Sequence, residues 1–366
     1  MKLKVTAALL ALSAAMPAYA QTVPEGYPAE YVEVVKAGEA EAGLSVYSNT
    51  DVNEMGDLLA AFNKLYPNIK VDYLDTATAT MYSRFVSEVG AGTPSADVVW
   101  ASNIDVVAKL AYDGWAQEYN SPEIPNIPGW ANWQNKIFST TAEPIVFAYN
   151  TRLVPAEDVP TSHAALTKLL NEKTDTYKGK VTAYDPELSL MGNMLIGQDL
   201  QIDAEGTKAL VSAMGKADVK VYNSTGTMME KLLSGEHTIA HNIFSSYLAQ
   251  RQKSDPTIGI AIPTDYTIVT ARGAMISNKA PHPNAGKLFV DFLLSKEGQS
   301  QLRARSMYPV RTDMQGDAES RLSGTESLAE GVLKPIQIND ALVQPLDPDT
   351  RVKFLQDWQA WLAAGK

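Results

Sequence analysis

The chain contains no cysteine. That absence excludes disulfides, thiolate metal sites, a cysteine nucleophile and a lipid-modified N-terminal cysteine. Histidine is scarce too, with His163, His237, His241 and His282 the whole complement of 4. No HExxH helix, GxSxG elbow or EF-hand series occurs, so no motif demands a metal or cofactor or supplies a nucleophile with its base. Positive charge is in deficit: 31 Lys and Arg stand against 42 Asp and Glu, a formal net charge of −11. Such a chain repels nucleic acid and anionic membranes. An anionic ligand is still compatible with it, because helix N-termini and single arginines reverse the field locally. Past the first residues no stretch is long and apolar enough to span a membrane, and there is no low-complexity tract or short-period repeat.

What is present begins with an export leader at residues 1–20. Lys2 and Lys4 form its basic start, Ala7 to Ala15 its apolar core, and Ala18-Tyr-Ala20 a small-x-small cleavage site. The mature chain then starts at Gln21, in the periplasm, as a soluble protein without a lipid anchor. Its length suits two domains.

The stretch from Leu44 to Gly114 sets the pattern for the rest. Leu44-Ser-Val-Tyr47 alternates as a strand and runs into Ser48-Asn49-Thr50-Asp51. Met55, Leu58, Leu59, Phe62, Leu65 and Tyr66 then mark one buried helix face. Asp51 with Glu54 reads as a capping box. Ile69 to Tyr73 is a second strand, and Met81, Phe85 and Val89 form the next helical stripe. Ala96 to Trp100 leads into Ala101-Ser102-Asn103, where Ser102 and Asp105 repeat the cap spacing. The pattern returns at Val181–Tyr184 with Ser189, at Val219–Tyr222 with Asn223-Ser224-Thr225, and at Thr238–Asn242. Unpaired N–H groups at such corners suit anionic or hydroxylated ligands, although Ser, Asn and Asp also occur there simply as caps. Alternating strands and helices predict a mainly parallel, doubly wound α/β sheet with ligands beyond the strand C-ends.

Corners on both sides of a crossing near Tyr149 predict a cleft of neutral hydrogen-bond groups that binds a small polar solute and performs no reaction. The candidate contacts are Ser48, Asn49, Thr50, Ser102, Asn103, Tyr149, Ser189, Asn223, Ser224, Thr225, Asn242, Tyr266 and Arg272. Arg272 lies in an apolar strand expected to return from the second domain over Thr267–Ser277, where a forked donor would suit a carboxylate or phosphate. Arg84 is the other cation weighed, with a simple pair to Glu88 as its plainer role. Asp72 and Asp75 read as strand-end acids. Trp115, Trp130 and Trp133 lie among prolines in irregular chain, where at least two of them are expected to staple down a covering loop, the other reading being an aromatic wall beside the ligand. The tail from Phe354 to Leu362 is an amphipathic helix expected to dock on the first domain.

Leu44-Ser-Val-Tyr-Ser48, Pro94-Ser-Ala-Asp-Val-Val-Trp100, Glu143-Pro-Ile-Val-Phe-Ala-Tyr-Asn150 and Pro281-His-Pro-Asn-Ala-Gly-Lys-Leu-Phe-Val-Asp-Phe-Leu-Leu-Ser-Lys-Glu-Gly-Gln299 occur in this order. They resemble the extracellular solute-binding proteins of ABC importers, ferric-iron-type branch, whose relatives include binders of sugar phosphates and phosphonates. The resemblance implies two Rossmann-like lobes of the type II periplasmic binding-protein kind, joined by crossing strands. Residues 21–147 with 272–366 would form the first lobe and 148–271 the second. It also implies a monomer that captures a small organic anion, phosphorylated or carboxylated, and delivers it to an inner-membrane ABC permease.

Ferric iron is the alternative ligand, but the iron ligands of that branch are not matched. Thr50 or Asp51 stands in the first loop, Ser102 or Asn103 in the second, and Ile243-Phe244 where adjacent tyrosines would be. Only Asp51 is a hard anionic donor, so Tyr247 or Tyr266 would have to substitute.

Overall fold

The structure is a computed structural model and describes residues 23–365; the leader expected at 1–20 lies outside the described residues. The strand–corner–helix units that periodicity predicts are formed, and they sort into two sheets. First come α1 (Tyr31–Glu41), β1 (Gly43–Ser48), α2 (Val52–Leu65), β2 (Lys70–Asp75), α3 (Thr78–Gly90), β3 (Val98–Ala101) and α4 (Ile104–Tyr112). After an irregular stretch, β4 (Asn132–Trp133), β5 (Ile137–Ser139) and β6 (Glu143–Asn150) carry the chain to the second half. That half holds α5 (His163–Glu172), α6 (Thr174–Tyr177), β7 (Val181–Tyr184), α7 (Leu190–Ile202), α8 (Ala204–Lys216), β8 (Lys220–Tyr222) and α9 (Thr225–Ser234). It continues through β9 (Ile239–Phe244), α10 (Ser245–Gln252), β10 (Ile258–Ala261) and β11 (Thr267–Thr270). The remainder is β12 (Gly273–Ile276), α11 (Pro283–Leu294), α12 (Lys296–Ala304), β13 (Leu333–Pro335), α13 (Asp340–Val343) and α14 (Pro348–Ala364).

One sheet has the strand order β2-β1-β3-β12-β5-β4, the other β13-β11-β6-β9-β7-β8 with β10 also on β6. Each is parallel only in part: β2, β1 and β3 run together, as do β8, β7 and β9, and β13 runs parallel to β11 at the edge of the second sheet. The strands that connect the sheets pair antiparallel, β12 with β3 and β6 with β9. The architecture is therefore more mixed than strand–helix alternation alone predicts.

Thr267–Ser277 is not one returning strand. β11 belongs to the second sheet and β12 to the first, with the break at Ala271-Arg272. Beside it, Thr140–Ala142 links β5 to β6. The two passes are bonded: the Thr140 N–H donates to the Arg272 carbonyl at 2.8 Å and the Arg272 N–H to Thr141 Oγ1 at 2.9 Å. A third pass near Tyr308 receives the Ala142 N–H at 2.8 Å. Backbone polar groups at the crossing are thus satisfied without water, as burial requires.

The apolar stripe of α2 behaves as its spacing predicts. Met55, Leu58 and Phe62 are buried, and Phe62 meets Phe289 and Phe292 of α11 at 5.2 and 5.6 Å. Trp133 stacks on Tyr112 at 4.9 Å, and Trp115 and Trp130 also pack on the core. All three indoles staple the irregular stretch and none reaches the interlobe cleft.

The C-terminal helix departs from expectation. α14 docks on α8 in the second half, burying Trp358 against Ile196 and Val211, because α7 and α8 present apolar side chains there. The approach is close: a Cβ on Gly215 of α8 would fall 2.0 Å from the Leu362 carbonyl oxygen. Gly215→Val is therefore expected to displace α14 and to cost about 1–3 kcal/mol. Faster limited proteolysis around residues 336–347 would report this. Unchanged protease resistance and melting temperature would show that the contact carries no weight.

Candidate functional site

A cleft of about 470 Å³ opens between the two sheets, where strand ends hand over to helices from both sides. From the first sheet come Asn49, Asp75, Thr76 to Ala79, Ser102 and Asn103. From the second come Tyr184, Leu188 to Met191, Asn223 to Gly226, Phe244 and Tyr247. The N-termini of α3, α4, α7 and α9 all reach this space. Their first-turn N–H groups are unpaired within the helix and carry positive partial charge.

The two sides are finished differently. On the second, Ser189 Oγ accepts the Gly192 N–H at 3.3 Å and Ser224 Oγ the Thr227 N–H at 3.2 Å, so both serines are working caps. On the first, neither α3 nor α4 has a side-chain cap. The box expected at Ser102 and Asp105 does not form: the cap residue is Asn103, and Ser102 turns to Asn49. Asn49 is the hub. Its Nδ2 donates to Thr78 Oγ1 (2.8 Å), Ser102 Oγ (3.0 Å) and Asn103 Oδ1 (3.2 Å), and its Oδ1 accepts the Ser102 N–H at 2.9 Å. Thr78 Oγ1 also donates to Asn103 Oδ1 at 2.9 Å. One amide thus ties together three corners that the chain separates widely.

The other sequence candidates lie elsewhere. Ser48 and Thr50 are buried beneath the floor, with Ser48 Oγ accepting the Thr50 N–H at 3.1 Å. Tyr149 sits at the far end of β6, its ring lying over Gly259. Asn242 and Tyr266 both bond to Asp199, at 2.7 and 3.0 Å, and Tyr266 stacks on His163 at 4.0 Å. Burial pushes the Asp199 carboxyl up, and His163 and these hydrogen bonds only partly oppose it. Burial likewise drives His241 well down, so it stays a neutral packing residue.

Arg272 is wholly buried. Its Nε lies 3.1 Å from Glu143 Oε1, and one terminal nitrogen donates to Thr50 Oγ1. Burial alone would favour its discharge, but Glu143 holds it charged. It joins the crossing strands to the first sheet and does not line the cleft. Arg84 pairs with Glu88 at 2.7 Å, the plainer of its two roles.

Sequence reasoning passed over the β2–α3 corner, because Thr76-Ala-Thr-Ala79 is bland in composition. Its signal was positional: the corner follows a strand and opens a helix, like the others. Among the described residues, Asp75 is the one lining residue that carries a charge, and Tyr184, Phe244 and Tyr247 supply aromatic faces. The Tyr184 hydroxyl bonds to Thr225 Oγ1. Among the described residues no cluster of three or more His, Asp or Glu could hold a metal ion. No helix among them is long and apolar enough to cross a membrane.

Two α/β lobes, joined by antiparallel passes and flanking a cleft of helix N-termini, define a binding protein of the type II periplasmic fold. The family model described as "Bacterial extracellular solute-binding protein" matches residues 57–322, and the chain belongs to that family. A substrate-binding protein of an ABC transporter from Agrobacterium tumefaciens superposes with a TM-score of 0.79 at 30% identity, over 87% of this chain and 94% of that one. Iron-bound HitA from Pseudomonas aeruginosa has the same fold, with TM-score 0.70 and 19% identity over 87% of this chain and 99% of that one. A putative 2-aminoethylphosphonate-binding periplasmic protein of Salmonella typhimurium is 25% identical over 316 residues, 80% of this chain and 86% of that protein. The chain is the solute-binding component of an ABC transporter.

Proposed function

We propose that the protein captures a small organic anion in the interlobe cleft and delivers it to an inner-membrane permease. The observation that carries this is the convergence of helix N-termini from both lobes on one cleft without a lysine or arginine in its wall. Backbone N–H groups then supply the anion's hydrogen bonds, as they do at other helix starts. Of the candidate residues, Asn49, Ser102, Asn103, Ser189, Asn223, Ser224 and Thr225 are the ligand contacts, joined by Thr78 and Tyr247. Closure would pivot on the passes at Thr140–Ala142 and Ala271–Arg272. The protein acts as a periplasmic monomer released from its leader, without lipid anchor or catalysis.

The lone carboxylate of Asp75 sharpens the ligand class. An anion that also bears an ammonium group would place its negative end on the helix N-termini and its positive end on Asp75. The phosphonate-binding relatives, whose named ligand is an aminoalkyl phosphonate, support this choice. A ferric ion is disfavoured by the same wall. It needs several hard anionic oxygens, whereas the cleft offers one carboxylate, and one of its two tyrosine hydroxyls is engaged by Thr225.

Calorimetry with 2-aminoethylphosphonate and with ethylphosphonate tests the proposal. The amine-bearing compound is expected to bind about tenfold tighter, since a charge-assisted bond contributes about 1.5 kcal/mol. Asp75→Asn should abolish that preference and, by removing a like charge from the wall, leave ethylphosphonate binding no weaker. Binding of neither compound would remove the phosphonate reading.

A further inference from the structure

One carboxylate lies behind the cleft floor with no counter-charge among the described residues. Asp105, in the first turn of α4, is 1% exposed. The elements packed on α4 are β3, β5, β12, α13 and the turn Gln344–Leu346. Their charged groups, and those of α4 itself, are engaged elsewhere. Asp340 hydrogen-bonds Tyr112, and Lys109 pairs with Asp113 at 2.6 Å and reaches Asp347 at 4.0 Å. At the crossing, Arg272 is held by Glu143. The side chain that touches Asp105 is Asn103, whose Nδ2 donates to Asp105 Oδ1 at 3.4 Å. Asn103 lines the cleft, and its Oδ1 receives Thr78 Oγ1 and Asn49 Nδ2. A continuous path therefore runs from a buried carboxylate through one amide to the ligand space.

We propose that Asp105 is a positioning residue that fixes the orientation of the Asn103 amide, and that its charge couples anion capture to proton uptake. The orientation follows from donor and acceptor roles. Asp105 accepts, so Nδ2 of Asn103 must face it, and Oδ1 is left to organise Thr78 and Asn49. A protonated carboxyl keeps an acceptor oxygen, so the amide stays oriented in both charge states while the charge behind the floor comes and goes.

Burial pushes the Asp105 carboxyl up to about 7, against bonds from Asn103 and the helix-start N–H groups that favour the anion. The sign of the coupling follows. An anion in the cleft disfavours a second negative charge behind the floor, so binding draws a proton onto Asp105 and affinity falls as pH rises through that region. Stability shifts in the same sense. The folded-state pKa is raised above the unfolded value, so the contribution present in acid is lost as pH rises through about 7. Proton coupling rests on the anion proposal; orientation of the amide does not.

Two variants separate the parts. Asp105→Asn keeps an acceptor oxygen for Asn103 and removes the charge. Asp105→Leu removes both. In ligand-free protein labelled with 15N-asparagine, the Asn103 side-chain amide, assigned by its loss in Asn103→Ser, is expected to titrate with a midpoint near neutral pH. Asp105→Asn should hold it constant, and Asp105→Leu should displace it at every pH. With 2-aminoethylphosphonate as probe, calorimetry in buffers of different ionisation enthalpy should show more proton uptake in wild type than in Asp105→Asn. The wild-type affinity should also fall a few-fold from pH 6 to 8 relative to that variant. An Asn103 resonance indifferent to pH and to both variants would overturn the positioning role. Equal proton uptake in wild type and Asp105→Asn would overturn the coupling. A probe that fails to bind wild type would count against the anion proposal, and the ligand-free titration would still decide the rest.

Discussion

Asn49→Ala is expected to weaken ligand binding by about 2–4 kcal/mol, roughly 30- to 1,000-fold, with little change in melting temperature. The size follows from what one amide holds. Asn49 donates to Thr78, Ser102 and Asn103 and accepts the Ser102 N–H, all within 3.2 Å. Truncation leaves several half-buried donors and acceptors without partners, each costing about 1–3 kcal/mol if water cannot replace Asn49. It also frees the β1, β2 and β3 corners to drift, so the wall on the first-lobe side loses its preorganised shape. The fold itself rests on apolar clusters within and across the lobes, to which the polar Asn49 side chain does not belong. Titration of 2-aminoethylphosphonate into the variant measures the effect. An affinity within twofold of wild type would show that these corners are helix caps and that the ligand sits elsewhere.

Glu143→Ala is expected to destabilise the protein by about 3–5 kcal/mol, lowering the melting temperature by on the order of 10 °C. Both Glu143 and Arg272 are fully buried. Removing one leaves the other as an uncompensated charge in a low-dielectric crossing, which costs far more than the pair contributes net. Glu143 also receives the Ser246 and Thr141 hydroxyls, so two further groups are orphaned. Arg272→Ala should act similarly, which removes it as a selective probe of ligand charge. The double replacement Glu143→Leu with Arg272→Met should recover most of the loss, because a matched apolar pair carries no desolvation cost. Scanning calorimetry reads all three variants. A single variant as stable as wild type would mean that the crossing is hydrated and its ion pair incidental.

The strand–corner–helix units were legible in the sequence because their causes are local. Apolar spacing in α2 and the caps at Asp51, Ser189 and Ser224 act over a few residues and need no partner from afar. The family motifs from Leu44 to Gln299 likewise carried the fold and the binding role. Within the site, polar corners marked Asn49, Ser102, Asn103, Ser189, Asn223, Ser224 and Thr225 as residues at strand-to-helix handovers, and these are the ones that meet at the cleft. The β2–α3 corner escaped because threonine and alanine give no polar signal, although backbone N–H groups there need no side chain to act.

By itself the sequence determined where most strands and helices lie, that several of their corners are polar and capped at Asp51, Ser189 and Ser224, and that no recognised motif of catalysis or metal binding is encoded. Tertiary structure alone decided which corners face one another, that Arg272 faces Glu143 and not a ligand, that Thr267–Ser277 is cut between two sheets, and that α14 closes on α8. The reason is range. Caps and helix faces are fixed by neighbours within a turn. The fate of a buried charge, a strand edge or an apolar helix face is fixed by what lies against it, which here comes from residues more than a hundred positions away.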